Sequence, residues 1–221
     1  MAEADQARIL GEGPRIAPLE VGELTGDLME IVRPMIAINS AIDSRDQEML
    51  TGVTEQGREA DMAALVAQLP EIIRTMLRHP MLFARQAEMG IQLLARGTLP
   101  GRDRELAILR MGWLCRAPYE WGEHVLIAKK LGVTRDEIEA ITIGSGAPGW
   151  DAHDTALLRA VEELHADAMI SDATWATLSE RYDERQMIEL PALIGQYQAV
   201  AYSQNSLRLR LHEGNLGLAA R

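Results

Sequence analysis

The stretch "RDRELAILRMGWLCRAPYEWGEHVLIAKKLGVTRDEIEAI", Arg102 to Ile141, decides the fold. Leu106, Leu109, Arg110, Trp113 and Leu114 recur at three- and four-residue spacing, which lays one helical face from Arg102 to about Cys115. Pro118 suits the first turn of a second helix, where its missing N–H is no loss. That helix runs to "AKKLG", with Lys129 and Lys130 at its negative C-terminal end and Gly132 as its stop. "TRDE", Thr134 to Glu137, is a capping box that opens a third helix, and the turn "GSGAPG" closes it.

Working outward, Asp151–Met169 reads as a long amphipathic helix and "SDATWATLSERY" as a shorter one. "DERQ", Asp183 to Gln186, caps a last helix reaching roughly Arg208, with Pro191 as a point of bending. Upstream, "EIIRTMLRHP" stops before Pro80 and "MLFARQAEMGIQLLARG" closes at Gly97. Short helices are expected at about Asp27–Ile38, interrupted by Pro34, and at about Arg58–Gln68, with a polar loop between them. Residues 1–20 read as an extended arm, because Pro14 and Pro18 discourage helix. No strand pattern emerges, so the expected class is all-α. The expected organisation is one domain over 1–221: an arm and irregular helices to 56, a core at 70–165, and C-terminal helices at 170–210. "RDRELAIL" and "DERQMIEL" open similar apolar helices, and degenerate duplication and chance likeness account for that echo equally well.

Composition bounds the function. A hydrophobic content of 47% supports a real core, and only 4% aromatic residues favours the vocabulary of helices. The net charge of −11 argues against nucleic acid and anionic membranes as partners. A single cysteine excludes an intramolecular disulfide and a four-thiolate metal site. The N-terminus lacks the basic and apolar regions of a secretory signal, and no apolar run is long enough for a membrane span, so a cytoplasmic protein is expected.

The chemistry-bearing residues lie in "CRAPYEWGEH", Cys115 to His124. Glu120 and His124, four residues apart, share one helix face, and Glu105 on the preceding helix comes towards them if the two helices pack antiparallel. The helix N-terminus disfavours imidazolium while Glu120 favours it, so the histidine is expected to titrate near neutrality, suited to taking and returning a proton. Tyr119 and Trp121 offer flat surfaces to a small cyclic ligand. On spacing alone, a solvated Glu–His pair and two packing aromatics explain the same residues, and Cys115 reads as a buried small hydrophobe.

The motif resembles the carboxymuconolactone decarboxylase family, which includes alkylhydroperoxidase D, over roughly residues 70–165. The carrying features are the "REL" helix start, the tight turn, the histidine and "GVTRDEI". The resemblance implies an alkylhydroperoxidase D-like helical bundle, a homo-oligomer (dimer, trimer or hexamer), and no cofactor or metal. Aligned on His124, the family's peroxidase acid falls on Glu105 and its two redox cysteines on Ala117 and Glu120. Both thiols are absent, and Cys115 has no partner for disulfide cycling. The chain is thus similar to a "YEW..H" branch in which an acid replaces the thiols. The implied activity is cofactor-free acid–base catalysis, a decarboxylation or related proton transfer on a small carboxylated or cyclic compound of aromatic catabolism. His124, Glu120 and Glu105 would be catalytic. Tyr119, Trp121, Cys115, Arg110 and Arg116 would line the substrate, an arginine holding its carboxylate. The alternatives are peroxide reduction through Cys115 with an external thiol, and a non-catalytic binding or assembly protein. "EELH", Glu162 to His165, is half of a di-iron motif without its second half. His79 is expected to cap a helix, and His153 and His212 to be exposed.

Overall fold

The computed structural model of the chain describes residues 2–32 and 69–221. The expected helix at Arg58–Gln68, the polar loop before it and the effect of Pro34 lie outside those residues. The described helices are α1 (Ala2–Leu10), α2 (26–32), α3 (Glu71–Met76), α4 (Pro80–Ala95), α5 (Gly101–Leu114), α6 (Pro118–Lys130), α7 (Arg135–Ile143), α8 (Ala152–Asp167), α9 (Asp172–Ser179) and α10 (Glu184–Leu207). No strand occurs among the described residues, and the protein is all-α. No described helix is long and apolar enough to cross a membrane.

Contacts group the chain into two compact units, Met1–Arg15 with Gly97–Arg221, and Ile16–Arg96. In the larger unit α5 is the axis, packed by α6, α7, α8 and α10. It is buried almost all round, from Glu105 through Gly112, which is why its apolar residues do not keep to one stripe. α10 continues through Pro191, held by the burial of Leu190, Leu193 and Ile194. The smaller unit has its own core of Leu19, Met29, Val32, Leu69, Ile73, Leu77 and Phe83. There the Arg74 guanidinium donates to the Leu19 carbonyl at 2.9 Å.

Local signals are realised closely. Pro80 and Pro118 start α4 and α6, and Thr134–Glu137 and Asp183–Gln186 form full capping boxes. His79 caps α4, its Nδ1 accepting from the Leu82 N–H at 3.3 Å. Two expectations are corrected. Residues 2–10 are helix rather than extended arm: Pro14 and Pro18 lie past its end, Ile9 is buried, and the Gln6 side chain accepts from the Leu218 N–H at 2.7 Å. His153 is buried rather than exposed, because its ring is drawn in by Asp103 at 3.0 Å and meets Tyr182 edge-on.

Candidate active site

The turn between α5 and α6 sets the site. Arg116 takes a left-handed conformation (φ 50°), the Ala117 N–H donates to Gly112 O at 2.8 Å and the Arg116 N–H to Trp113 O at 3.0 Å. This is a Schellman closure, and it reverses the chain within three residues. Pro118 then opens α6, which places Glu120 in its first turn and His124 one turn on, both facing α5.

Glu105 on α5 is completely buried, and its Oε2 lies 2.7 Å from His124 Nδ1. Its other oxygen is held at 2.9 Å by Arg104. His124 Nε2 lies 3.3 Å from Glu120 Oε1, at the long end of the hydrogen-bond range, while Glu120 Oε2 accepts from Gln204 Nε2 at 2.8 Å. Tyr197 packs on the imidazole at 5.0 Å with its plane at 87°. The order in space is therefore Arg104, Glu105, His124, Glu120, Gln204, with positive and negative groups alternating along most of it.

Burial alone would push the His124 pKa down, but Glu105 and Glu120 outweigh it and hold it up at about 10. Burial would likewise raise Glu105, yet His124 and Arg104 bring it below the usual carboxylate value. His124 is thus an imidazolium at neutral pH, not a group titrating near 7. The expected balance between the helix N-terminus and Glu120 leaves out Glu105, which makes the strongest of the raising contributions.

The structure brings Glu105, Glu120 and His124 together, and separates them from several residues expected to line a substrate. Trp121 has no exposed surface: its Nε1 donates to Ala220 O at 3.0 Å and its ring meets Trp113 at 4.9 Å. It offers no face to a ligand. Arg110 is likewise occupied, by Glu162 at 2.8–2.9 Å and by the carbonyls of Ile141 and Thr142. Glu162, half of the "EELH" motif, also accepts from Ser145. Arg116 is exposed and pairs with Asp5 at 3.2 Å. Tyr119 is buried with its ring edge towards His212, which is itself exposed. Cys115 is half-buried with its Sγ on Met111 Sδ; burial, then Glu120, pushes its pKa up to about 11. That is the opposite of an activated thiolate.

Three members of the cluster escaped the sequence reading. Arg104 adjoins Glu105 in the chain, but neighbours on a helix point about 100° apart, so adjacency did not imply contact. Tyr197 and Gln204 are seven residues apart and therefore share a face of α10, a signal that marks them as facing the same neighbour without saying which. Among the described residues no group of three or more His, Cys, Asp or Glu side chains is arranged to hold a metal ion.

Comparison with known proteins agrees with this architecture. No curated protein matches the sequence. An uncharacterized peroxidase-related protein from Ralstonia eutropha JMP134, with an alkylhydroperoxidase AhpD core, superposes with a TM-score of 0.67 at 13% identity, over 92% of this chain and 97% of that one. The debrominase Bmp8 in its apo form gives 0.67 at 14% identity, over 93% and 96%. A peroxidase-related protein from Silicibacter sp. TM1040 gives 0.61 at 13%, over 77% and 92%. At such identities these share a fold with the chain. Residues 80–163 match the carboxymuconolactone decarboxylase family, and the chain is similar in fold to alkylhydroperoxidase D-like proteins.

Proposed function

We propose that the protein is a cofactor-free acid–base enzyme acting on a small carboxylated or cyclic compound of aromatic catabolism, by decarboxylation or a related proton transfer. The supporting observation is the buried Glu105–His124–Glu120 triad, with no redox thiol at its centre. His124 begins each cycle as the acid, because two carboxylates hold its proton at neutral pH. In the decarboxylation, the electron pair of the bond to CO2 moves into a conjugated carbonyl and leaves a dienolate. The imidazolium delivers its proton to carbon, and the neutral imidazole is reprotonated from solvent, so the net change is uptake of one proton and release of CO2. The positive ring also stabilises the developing negative charge before transfer. Glu105, anchored by Arg104, keeps the ring oriented through Nδ1.

Peroxide reduction through Cys115 is disfavoured by its raised pKa and by the absence of a second cysteine. The debrominase and peroxidase-related neighbours show how broadly this fold is used, and a reductive reaction here would need an external thiol. We read the chain as a homo-oligomer, supported by the exposed Ile188 and Tyr202 on α10. The test is incubation with unsaturated lactone acids, following CO2 release and solvent deuterium uptake at carbon. Activity lost in His124→Gln with the helical signal intact supports the reading; undiminished turnover in that variant sinks it.

A further inference from the structure

Glu120 and Gln204 are each more than nine-tenths buried, and each keeps one oxygen without a hydrogen-bond partner. The two side chains are joined through Gln204 Nε2 and Glu120 Oε2, so the orphaned oxygens are the outer atoms of one bonded pair. Glu105, by contrast, has both oxygens engaged, by His124 and Arg104. A buried carboxylate oxygen is not left unmatched without cost, and what matches it must be a hydrogen-bond donor.

The orphaned Glu120 Oε1 also lies 3.3 Å from His124 Nε2. A group seated there meets an acceptor on one side and a protonated ring nitrogen on the other. A hydroxyl suits both, since it donates one hydrogen bond and accepts another. A carboxylate would set its own oxygens against two more acceptors, and the guanidinium that could compensate, Arg104, is already on Glu105. From this arrangement we infer that the site takes its substrate through a hydroxyl group (phenol, enol or alcohol), which donates to Glu120 Oε1 and accepts from His124 Nε2, with Gln204 holding the other Glu120 oxygen and any carboxylate of the substrate directed away from the pair. The inference rests on the triad being the reaction site and adds the substrate group that this site recognises.

Binding of phenol, anisole and benzoate to the full chain, followed by NMR titration, tests it without requiring turnover. Phenol should bind about 10- to 100-fold more tightly than anisole, the range expected for one hydrogen bond to a charged acceptor, and benzoate no more tightly than anisole. Glu120→Gln and Gln204→Met, each checked for helical content, should reduce the preference for phenol to about 3-fold or less. Equal binding of anisole or benzoate, no binding of phenol, or a preference unchanged in both folded variants overturns the inference; the wild-type comparison decides even where a variant does not fold. Turnover of lactone acids without a hydroxyl preference removes only this inference. A hydroxyl preference without any turnover removes only the proposed catalysis.

Discussion

Two buried histidines sit against carboxylates in this protein, and their surroundings differ in one respect that matters. His124 contacts Glu105 and Glu120, and Tyr197 stands edge-on to it; His153 contacts Asp103, and Tyr182 stands edge-on to it at 4.8 Å. In the second cluster the acid is shared: Asp103 Oδ2 is approached by His153 Nε2 at 3.0 Å and receives the Tyr182 hydroxyl at 2.7 Å. Neighbouring Asp154 is gripped by two nitrogens of Arg102 at 2.9–3.0 Å. The carboxylates there tie α5 to α8, and Tyr182 links that tie to the start of α10. Around His124 one acid is equally engaged, but Glu120 retains an oxygen facing the ring. A carboxylate oxygen shared by two donors, as in Asp103, ties elements together, whereas a buried unmatched oxygen beside an imidazolium, as in Glu120, can exchange a proton.

The largest expected effect separates the two histidines by activity. His124→Gln should lower turnover by about 10²- to 10⁴-fold, the usual contribution of a positioned acid, while His153→Gln should leave turnover within a few-fold and lower the melting temperature instead. Comparable losses of turnover in both would erase the distinction. Next come the acids, measured by denaturant unfolding. Glu105→Gln removes the shared partner of a fully buried imidazolium and of Arg104, and should cost about 3–5 kcal/mol. Asp103→Asn, at a less buried position, should cost about 1–3 kcal/mol.

The pH dependence sharpens the same contrast. His124 binds its proton more tightly folded than unfolded, so its contribution is complete below about pH 6.5 and is lost as pH rises towards about 10. Glu105, with its lowered pKa, contributes above its unfolded value near 4.5 and loses that contribution in more acid solution. Thermal melts across pH 4–10 should therefore show an alkaline decline that His124→Gln flattens. The tyrosines test the same comparison through their hydroxyls. Tyr182→Phe loses a charge-assisted hydrogen bond and should cost about 1.5–3 kcal/mol, whereas Tyr197→Phe keeps the ring that touches His124 and should cost less. The reverse order would mean that the Tyr197 hydroxyl, not its ring, supports the site.

Much of this was legible in the chain. Spacing placed Glu120 and His124 on one face, and the family resemblance pointed to Glu105 as the third member. Trp121 and Arg110 are expected at the substrate because an aromatic ring and a guanidinium are chemically suited to it. Suitability does not reveal what else competes for a side chain. Trp121 found a carbonyl near the C-terminal end of the chain, and Arg110 found Glu162, each across more than 50 positions of sequence.

What the sequence determined by itself is local: which residues start and stop helices, where the chain turns, and which side chains share a face. Those outcomes depend on backbone sterics and on hydrogen bonds within a few residues, as in the Thr134 and Asp183 capping boxes. Only the tertiary structure decided the charge on His124, the engagement of Glu105 by Arg104 and the approach of Gln204 to Glu120. These depend on burial and on distances of a few ångströms between distant segments, and in a low-dielectric interior such distances decide which groups hold a proton.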